Sequence, residues 1–412
     1  MPVTSFSRLG TSNAYNSTIA NLQSRQNSLS NLQESLSSGK KINTPSDDPT
    51  GSAQAERALT RLSRIATDQR ALEAQRNSIS NAESTLSDIT SALQDVRDLV
   101  TSAGNASFGN AERKNVANQI TGLRQRILSL ANTQDSNGQP LFAALGSALA
   151  PFTGPSGGTP DYSFNGLAGT AAGGTYTIAP AMDGDSAFML QPARDGAYNV
   201  GATGASGNVV TDNVVKVDSS LINGSAYGIQ ITGFAGNIVN YAITETPTPV
   251  PPAATAPATG FATWSATQGF TITDMPGLSL KVNGTPTVGD TLTVDPSTSI
   301  FGTLDNAVKG ITNATTSNQA SQAVTQALQN IDISMARISA VRGQAGDLLN
   351  RADSITSTND KRTIEQTANK SRAEDVDMIQ AVSDFQKQQT GYQAALQSYA
   401  QIQKLSLFTY IS

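Results

Sequence analysis

Neither cysteine nor histidine occurs anywhere in the 412 residues of this chain. With no thiol there is no disulfide, no thiolate nucleophile and no soft metal-ligand set. With no imidazole, the usual neutral-pH base and the commonest zinc and haem ligand are gone as well. Carboxylate pairs, Ser–Lys pairs and tyrosines remain as reactive groups, but they form no catalytic constellation, so neither an enzyme nor a cofactor is expected. Charged residues are only 14% and aromatics 5%, with a single tryptophan. No stretch approaches the ~18 continuous apolar residues of a membrane-spanning helix. The opening Met1-Pro2-Val3-Thr4-Ser5-Phe6-Ser7-Arg8 lacks a basic run leading into an apolar core, so no Sec signal peptide is expected there. These absences alone point to a cytosolic protein, although a chain without cysteine also suits work outside a reducing compartment.

What the chain does have is a repeat at each end. Ile79, Ala82, Leu86, Ile89, Leu93, Val96 and Val100 recur at alternating steps of three and four. Val324, Leu328, Ile331, Met335 and Ile338 do the same, as do Met378, Val382, Phe385, Tyr392, Leu396 and Tyr399 around a polar Gln389. A mean repeat near 3.5 keeps one narrow stripe facing a partner helix, which is the seam of a coiled coil. Two such stripes at opposite ends predict that the ends pair and that the middle is an insertion.

Helices are expected over about 11–38, 49–103 and 111–133, then from Leu304 through about Ser357, and after Asn359 to about Leu405. Tyr15, Ile19, Leu22, Leu29 and Leu36 form the first stripe, and Ser38-Gly39-Lys40-Lys41 is a helix stop. In Asn43-Thr44-Pro45-Ser46-Asp47-Asp48-Pro49, Pro45 disfavours helix at Thr44, while Asp48 and Pro49 read as N-cap and first residue of the next helix. Beyond Asp135-Ser136-Asn137-Gly138 glycine and proline accumulate and the period drops to two. Strands are expected at 175–178, 227–231, 239–243, 278–282 and 291–294. The proline-rich 247–257 reads as a stiff loop between two strands.

The fold class is therefore α+β: a long antiparallel, coiled-coil-like bundle formed by both chain ends, with an inserted, mainly antiparallel β domain. Three domains are expected: 1–42 with 373–412 for assembly, 43–140 with 303–372 as a helical rod, and 141–302 as an outer β domain. Residues 141–303 hold 3 Lys/Arg against 10 Asp/Glu, so the acidity lies in the insertion. Nothing forms the basic stripe that nucleic acid would require. Gly39-Lys40 lacks the upstream glycine of a phosphate loop, and Gly201–Gly207 has the wrong spacing for a dinucleotide fingerprint. Asp183-Gly184-Asp185 lacks the remaining ligands of a calcium loop. Asp47-Asp48 are explained by capping, and Glu374, Asp375 and Asp377 by first-turn charge on the last helix.

The stretch Leu36-Ser37-Ser38-Gly39-Lys40-Lys41-Ile42-Asn43-Thr44-Pro45-Ser46-Asp47-Asp48-Pro49 resembles the N-terminal signature of the axial proteins of the bacterial flagellum, flagellin and the hook-associated proteins. Leu128–Thr133 with Asp135–Gly138 and Leu141-Phe142-Ala143, and the end running from Glu374–Met378 through Gln388-Gln389-Thr390 to Leu405-Ser406-Leu407-Phe408, resemble the hook-associated branch of that family. The resemblance implies a structural protein at the junction of hook and filament, exported through the flagellar type III route to the cell exterior. It implies as partners identical subunits, hook-associated protein 1 on the hook side, flagellin on the filament side and a cytosolic export chaperone, with no membrane insertion. The assembly interface would comprise Tyr15, Ile19, Leu22, Leu29, Leu36, Met378, Val382, Phe385, Tyr392, Leu396, Tyr399, Leu405 and Phe408. Two alternatives stand beside it: the filament subunit itself, and an adhesin or glycan-binding module on a helical stalk, for which Trp264, Tyr162, Tyr176 and Tyr227 are the available aromatics.

Overall fold

The structure, a computed structural model, describes residues 11–411 apart from 106, 158–160, 204–208 and 248–255; for 11–15 and 402–411 only the backbone is described. Helix α1 spans Thr11–Ser38, α2 Pro49–Ala103 and α3 Asn110–Ala131. Two short strands, β1 (Phe152–Thr153) and β2 (Ser163–Phe164), and two short helices, α4 (Gly184–Phe188) and α5 (Pro192–Asp195), follow. Then come β3 (Tyr198–Thr203), β4 (Val210–Lys216), β5 (Ala226–Ala235), β6 (Ile238–Thr246) and β7 (Ala258–Thr263). The series closes with β8 (Phe270–Met275), β9 (Leu278–Asn283) and β10 (Thr291–Pro296), then α6 (Ile300–Asn313), α7 (Ser317–Glu374) and α8 (Met378–Ile411). The chain divides into two compact units, one of residues 1–69 with 356–412 and the other of 70–355.

In the larger unit α2 and α7 run antiparallel, with Arg76 against Asp353 at 3.2 Å, Glu83 against Arg342 at 2.7 Å and Arg97 against Asp332 at 3.0 Å. Between these helices the predicted α2 stripe is buried at Ile79, Ala82, Leu86, Ile89, Leu93, Val96 and Val100; of the α7 stripe Val324, Ile331 and Ile338 are buried and Leu328 and Met335 half-buried. No glycine or proline interrupts 52–103, which lets propensity and seam agree along the whole of α2. The α2–α3 hairpin turns at Gly104–Gly109, where the Gly109 N–H donates to Glu112 Oε2 at 2.9 Å. The same core takes in an aromatic cluster in which Phe188 meets Phe142, Phe152 and Phe301 with ring centroids 5.0–5.9 Å apart. Beside it the Tyr162 hydroxyl donates to Asp305 Oδ2 at 2.6 Å, and Arg124 lies against both. Burial, then this hydrogen bond, pushes the Tyr162 phenol up to about 12.

A second core begins at Tyr198 and belongs to the strands. Five of them form an antiparallel sheet in the order β3-β10-β5-β6-β7, and three more the order β4-β9-β8. Tyr227 sits opposite Val294 and Ile229 opposite Leu292, so one face of β5 and β10 is uniformly apolar. The Tyr241 hydroxyl ties the two sheets together by donating to Asp274 Oδ2 at 2.8 Å. Along α7 a row of amides covers the strand edges. Gln322 Nε2 donates to Thr211 Oγ1 at 2.6 Å, Gln329 Nε2 to the Val214 carbonyl at 3.4 Å and Asn330 Nδ2 to the Tyr198 carbonyl at 3.1 Å.

Several sequence expectations are corrected. Residues 175–178 are not a strand; the Ile178 N–H instead donates to Gln75 Oε1 at 3.1 Å, and its side chain joins the helical core. No helix break occurs near 357–359. Thr356 and Asn359 are polar seam residues: Gln69 Nε2 donates to Thr356 Oγ1 and Asn359 Nδ2 to Gln69 Oε1, each at 3.1 Å. The actual breaks fall at 314–316 and 375–377. At the first, Gln319 N–H donates to Thr316 Oγ1 while Gln319 Oε1 accepts from Thr315 N–H, a capping arrangement. Strands β1, β2, β3, β4, β7 and β8 have no counterpart among the strands expected from sequence. Most of the proline-rich loop at 247–257 lies outside the described residues.

Candidate assembly surface

In the smaller unit α1 packs against α8. Gly39, at φ +72°, ends α1 in a left-handed conformation that glycine adopts without strain, as the sequence predicts. Its carbonyl accepts from the Val376 N–H at 3.0 Å, and the Lys41 N–H donates to the Glu374 carbonyl at 2.8 Å. These bonds form a short antiparallel clasp, Lys40 opposite Asp375, between the stop of α1 and the start of α8. Lys40 pairs with Glu374, whose other oxygen lies 3.8 Å from Lys370 Nζ. Lys41 Nζ donates to the Arg372 carbonyl at 2.9 Å. Glu374 is therefore the last residue of α7 and Asp375 lies in the clasp, so neither is first-turn charge on α8; Asp377 is not in that turn either but precedes it as a cap, its Oδ1 accepting from Ile379 and Gln380 N–H at 3.0 and 3.1 Å.

The clasp makes α1 and α8 antiparallel. Gly391 and Arg25 meet roughly three and a half turns from it, where a Cβ on Gly391 would lie 2.7 Å from Arg25 Nη1. In the segment that leads on to α2, Asp48 caps the helix, whereas Asp47, also read as a cap, closes the turn before it. Asp47 Oδ2 accepts from Asn43 and Thr44 N–H at 3.1 and 2.8 Å, closing the turn around Pro45 and Ser46. Asp48 Oδ1 accepts from Thr50 and Gly51 N–H at 3.1 and 3.0 Å, ahead of Pro49 as the first helical residue. These backbone donors, first Thr44 for Asp47 and Gly51 for Asp48, hold both carboxyls below the usual aspartate range. The Asp48 and Ile42 side chains close over Gly51: a Cβ there would be 2.5 Å from Asp48 Oδ2 and 2.6 Å from Ile42 Cδ1, so both side-chain ends would have to shift.

The stripe on this pair is only half closed. Ile19, Leu22, Leu29 and Leu36 are half-buried, as are Phe385, Tyr392 and Tyr399. Met378 is 49% exposed, Val382 43% and Leu396 42%. Ile379, which the heptad pattern does not select, is 87% exposed. Its position just inside an Asp377 cap, in a run of Met378-Ile379, is the signal that could have marked it. The side chains of Tyr15, Leu405 and Phe408 lie outside the described residues.

Among the described residues nothing else gathers into a reactive site. The aromatics considered for glycan binding are dispersed: Tyr162 and Tyr227 are buried, in separate cores. Trp264 packs edge-on against Phe234 and donates to the Gly284 carbonyl at 2.8 Å. Asp183 caps α4, its Oδ1 accepting from the Asp185 N–H at 3.1 Å. Among the described residues no acidic cluster is set to hold a metal, and no helix is long and apolar enough to cross a membrane.

Residues 10–146 match the family described as the bacterial flagellin N-terminal helical region, and residues 328–411 the bacterial flagellin C-terminal helical region. Together they exceed half of the chain. The chain belongs to the flagellin family. Within that family it is 24% identical over 409 residues to flagellar hook-associated protein 3 of Escherichia coli, covering 97% of this chain and 98% of that one. Flagellin of Serratia marcescens is 31% identical over 130 residues, which is 30% of this chain and 35% of the relative. In fold, the chain is similar to the crystal structure of flagellar hook-associated protein 3 from Legionella pneumophila, with a TM-score of 0.60 at 23% identity over 76% of this chain and 97% of that one.

Proposed function

We propose that this protein is a structural axial component of the bacterial flagellum that forms the junction between hook and filament, and that it is not an enzyme. The observation that carries this reading is the extent of its similarities. Likeness to hook-associated protein 3 runs through the inserted β region, whereas the flagellin of Serratia marcescens matches less than a third of the chain. The half-closed stripe on α1 and α8 fits the same role. An apolar seam that a single chain leaves partly wet is completed by neighbouring helices.

On this reading residues 1–42 with 373–412 form the assembly domain, 43–140 with 303–372 the rod, and 141–302 the outer domain. Neighbours are identical subunits, hook-associated protein 1 toward the hook and flagellin toward the filament. A cytosolic chaperone accompanies export to the cell exterior. Deleting the gene tests the proposal. Cells should release flagellin into the medium and carry hooks without filaments, and hooks that still bear long filaments would overturn it.

A further inference from the structure

Between α2 and α7, within the smaller unit, lies a cavity of about 330 Å³. Arg57 and Arg61, one turn apart on α2, and Arg372 of α7 line it, with Gln54, Gln366 and Asn369 between them and no carboxylate. Arg372 is held by its own helix, donating to Asn369 Oδ1 at 2.7 Å. Arg57 and Arg61 are exposed and have no ion-pair partner among the described residues. Gln366 is 91% buried, given its 9% exposure, yet its side-chain oxygen has no hydrogen-bond donor. Three guanidinium groups with no carboxylate among the lining residues describe a groove that wants carboxylates.

The complementary surface occurs on the same chain. In the second half of α2, Asp88, Ser91, Asp95 and Asp98 share one helical face and are all exposed. None of these carboxylates has an ion-pair partner among the described residues. Their acidic neighbour Glu83, by contrast, is taken by Arg342, and Asp332 and Asp353 are taken by Arg97 and Arg76. Exposed Gln94 beside this face offers an amide donor. The groove thus presents unpaired cations, and the second half of α2 presents unpaired anions.

We infer that the arginine groove of one copy receives the Asp88–Asp95–Asp98 face of a second copy. Groove and face lie in opposite halves of α2, so copies repeated in one direction carry the contact on from subunit to subunit, whereas an antiparallel pair would close it as a dimer. It rests on the reading that this chain self-assembles. Polar contacts of this kind set register and partner choice more than bulk affinity.

The natural absence of cysteine makes the test direct. Chains carrying Arg61→Cys and Asp95→Cys, with different tags, are co-expressed in cells lacking the wild-type gene, and sheared flagella are oxidised. A disulfide joining the two tags is expected, with none between like variants. In parallel, the Arg57→Glu/Arg61→Glu chain should be incorporated about three- to tenfold less than wild type. Adding Asp88→Arg/Asp95→Arg should restore it to within about twofold. If wild-type chain is itself absent from flagella, the junction reading fails and this inference goes with it. If wild type and the charge reversal enter equally and no mixed disulfide forms, the inference alone is overturned. Adducts to a different flagellar protein would likewise overturn the assignment to a second copy.

Discussion

Leu86 and Leu93 on α2 are a heptad apart and fully buried, whereas Val382 and Leu396 on α8 are two heptads apart and exposed by 43% and 42%. The sequence spacing is the same and the fate is opposite. On α2 the stripe is aliphatic throughout and meets α7, α3 and α6, so several helices share one core. On α8 the stripe mixes aliphatic and aromatic residues with Gln389 and packs, among the described residues, mainly on α1. Two helices alone cannot enclose a stripe wider than a single seam. The period of a repeat says that a partner exists; the number of helices present decides whether that partner is in the same chain.

The largest effect should come from the closed seam. Leu93→Ala removes a fully buried side chain from a core that other helices hold open, and should cost about 3–4 kcal/mol in denaturant unfolding. A loss below about 1 kcal/mol would mean that this core collapses around the cavity, and the contrast with α8 would weaken. Next is the buried ion pair at the foot of the aromatic cluster. Asp305→Ala strands Arg124 and Tyr162, and should cost about 3 kcal/mol. Tyr162→Phe should cost less, because the charges still meet.

A smaller and more local effect is expected where the α1–α8 pair joins the rest of its unit. Asp48→Ala removes the acceptor for the Thr50 and Gly51 N–H groups, so amide exchange should quicken at the start of α2 while Leu93 amide protection stays high. The pH dependence has a definite sign. The Asp48 carboxyl is depressed from 3.8 by these donors, so its contribution is complete above that value and disappears as pH falls through the lower folded-state value. In the Asp48→Ala chain that acid-side loss at the start of α2 should be absent.

The sequence made the main division legible because heptads, prolines and glycines are local signals. Helices α1 and α2 begin and end as expected since Gly39 and the Asp48-Pro49 pair act within one turn. The C-terminal half was harder. Thr356, Ser357, Thr358 and Asn359 look like a helix terminus, but Asn359 and Thr356 reach across to Gln69, and only a tertiary contact makes such residues helical. The true ends carried their own signs, Thr316 three residues before Gln319 and Asp377 three before Gln380, a capping spacing that apolar periodicity overlooks. The clasp of Gly39–Lys41 with Glu374–Val376 joins segments more than three hundred residues apart, so no local pattern encodes it. The same holds for the aromatic cluster, whose members come from four separate stretches.

The smallest effect on the free chain is expected at the seam that looks most like a core from sequence. Leu396→Ser changes a side chain that is already 42% exposed, so the isolated protein should lose only about 1 kcal/mol and keep its helical circular dichroism. Its incorporation into flagella should nevertheless fall sharply, because a neighbour would have to bury a hydroxyl without a partner. The pair of measurements separates the two kinds of seam: Leu93→Ala should damage stability and assembly together, Leu396→Ser mainly assembly. If Leu396→Ser unfolded the free chain as much as Leu93→Ala does, the terminal pair would be an ordinary intramolecular core. The comparison would then collapse into a difference of degree.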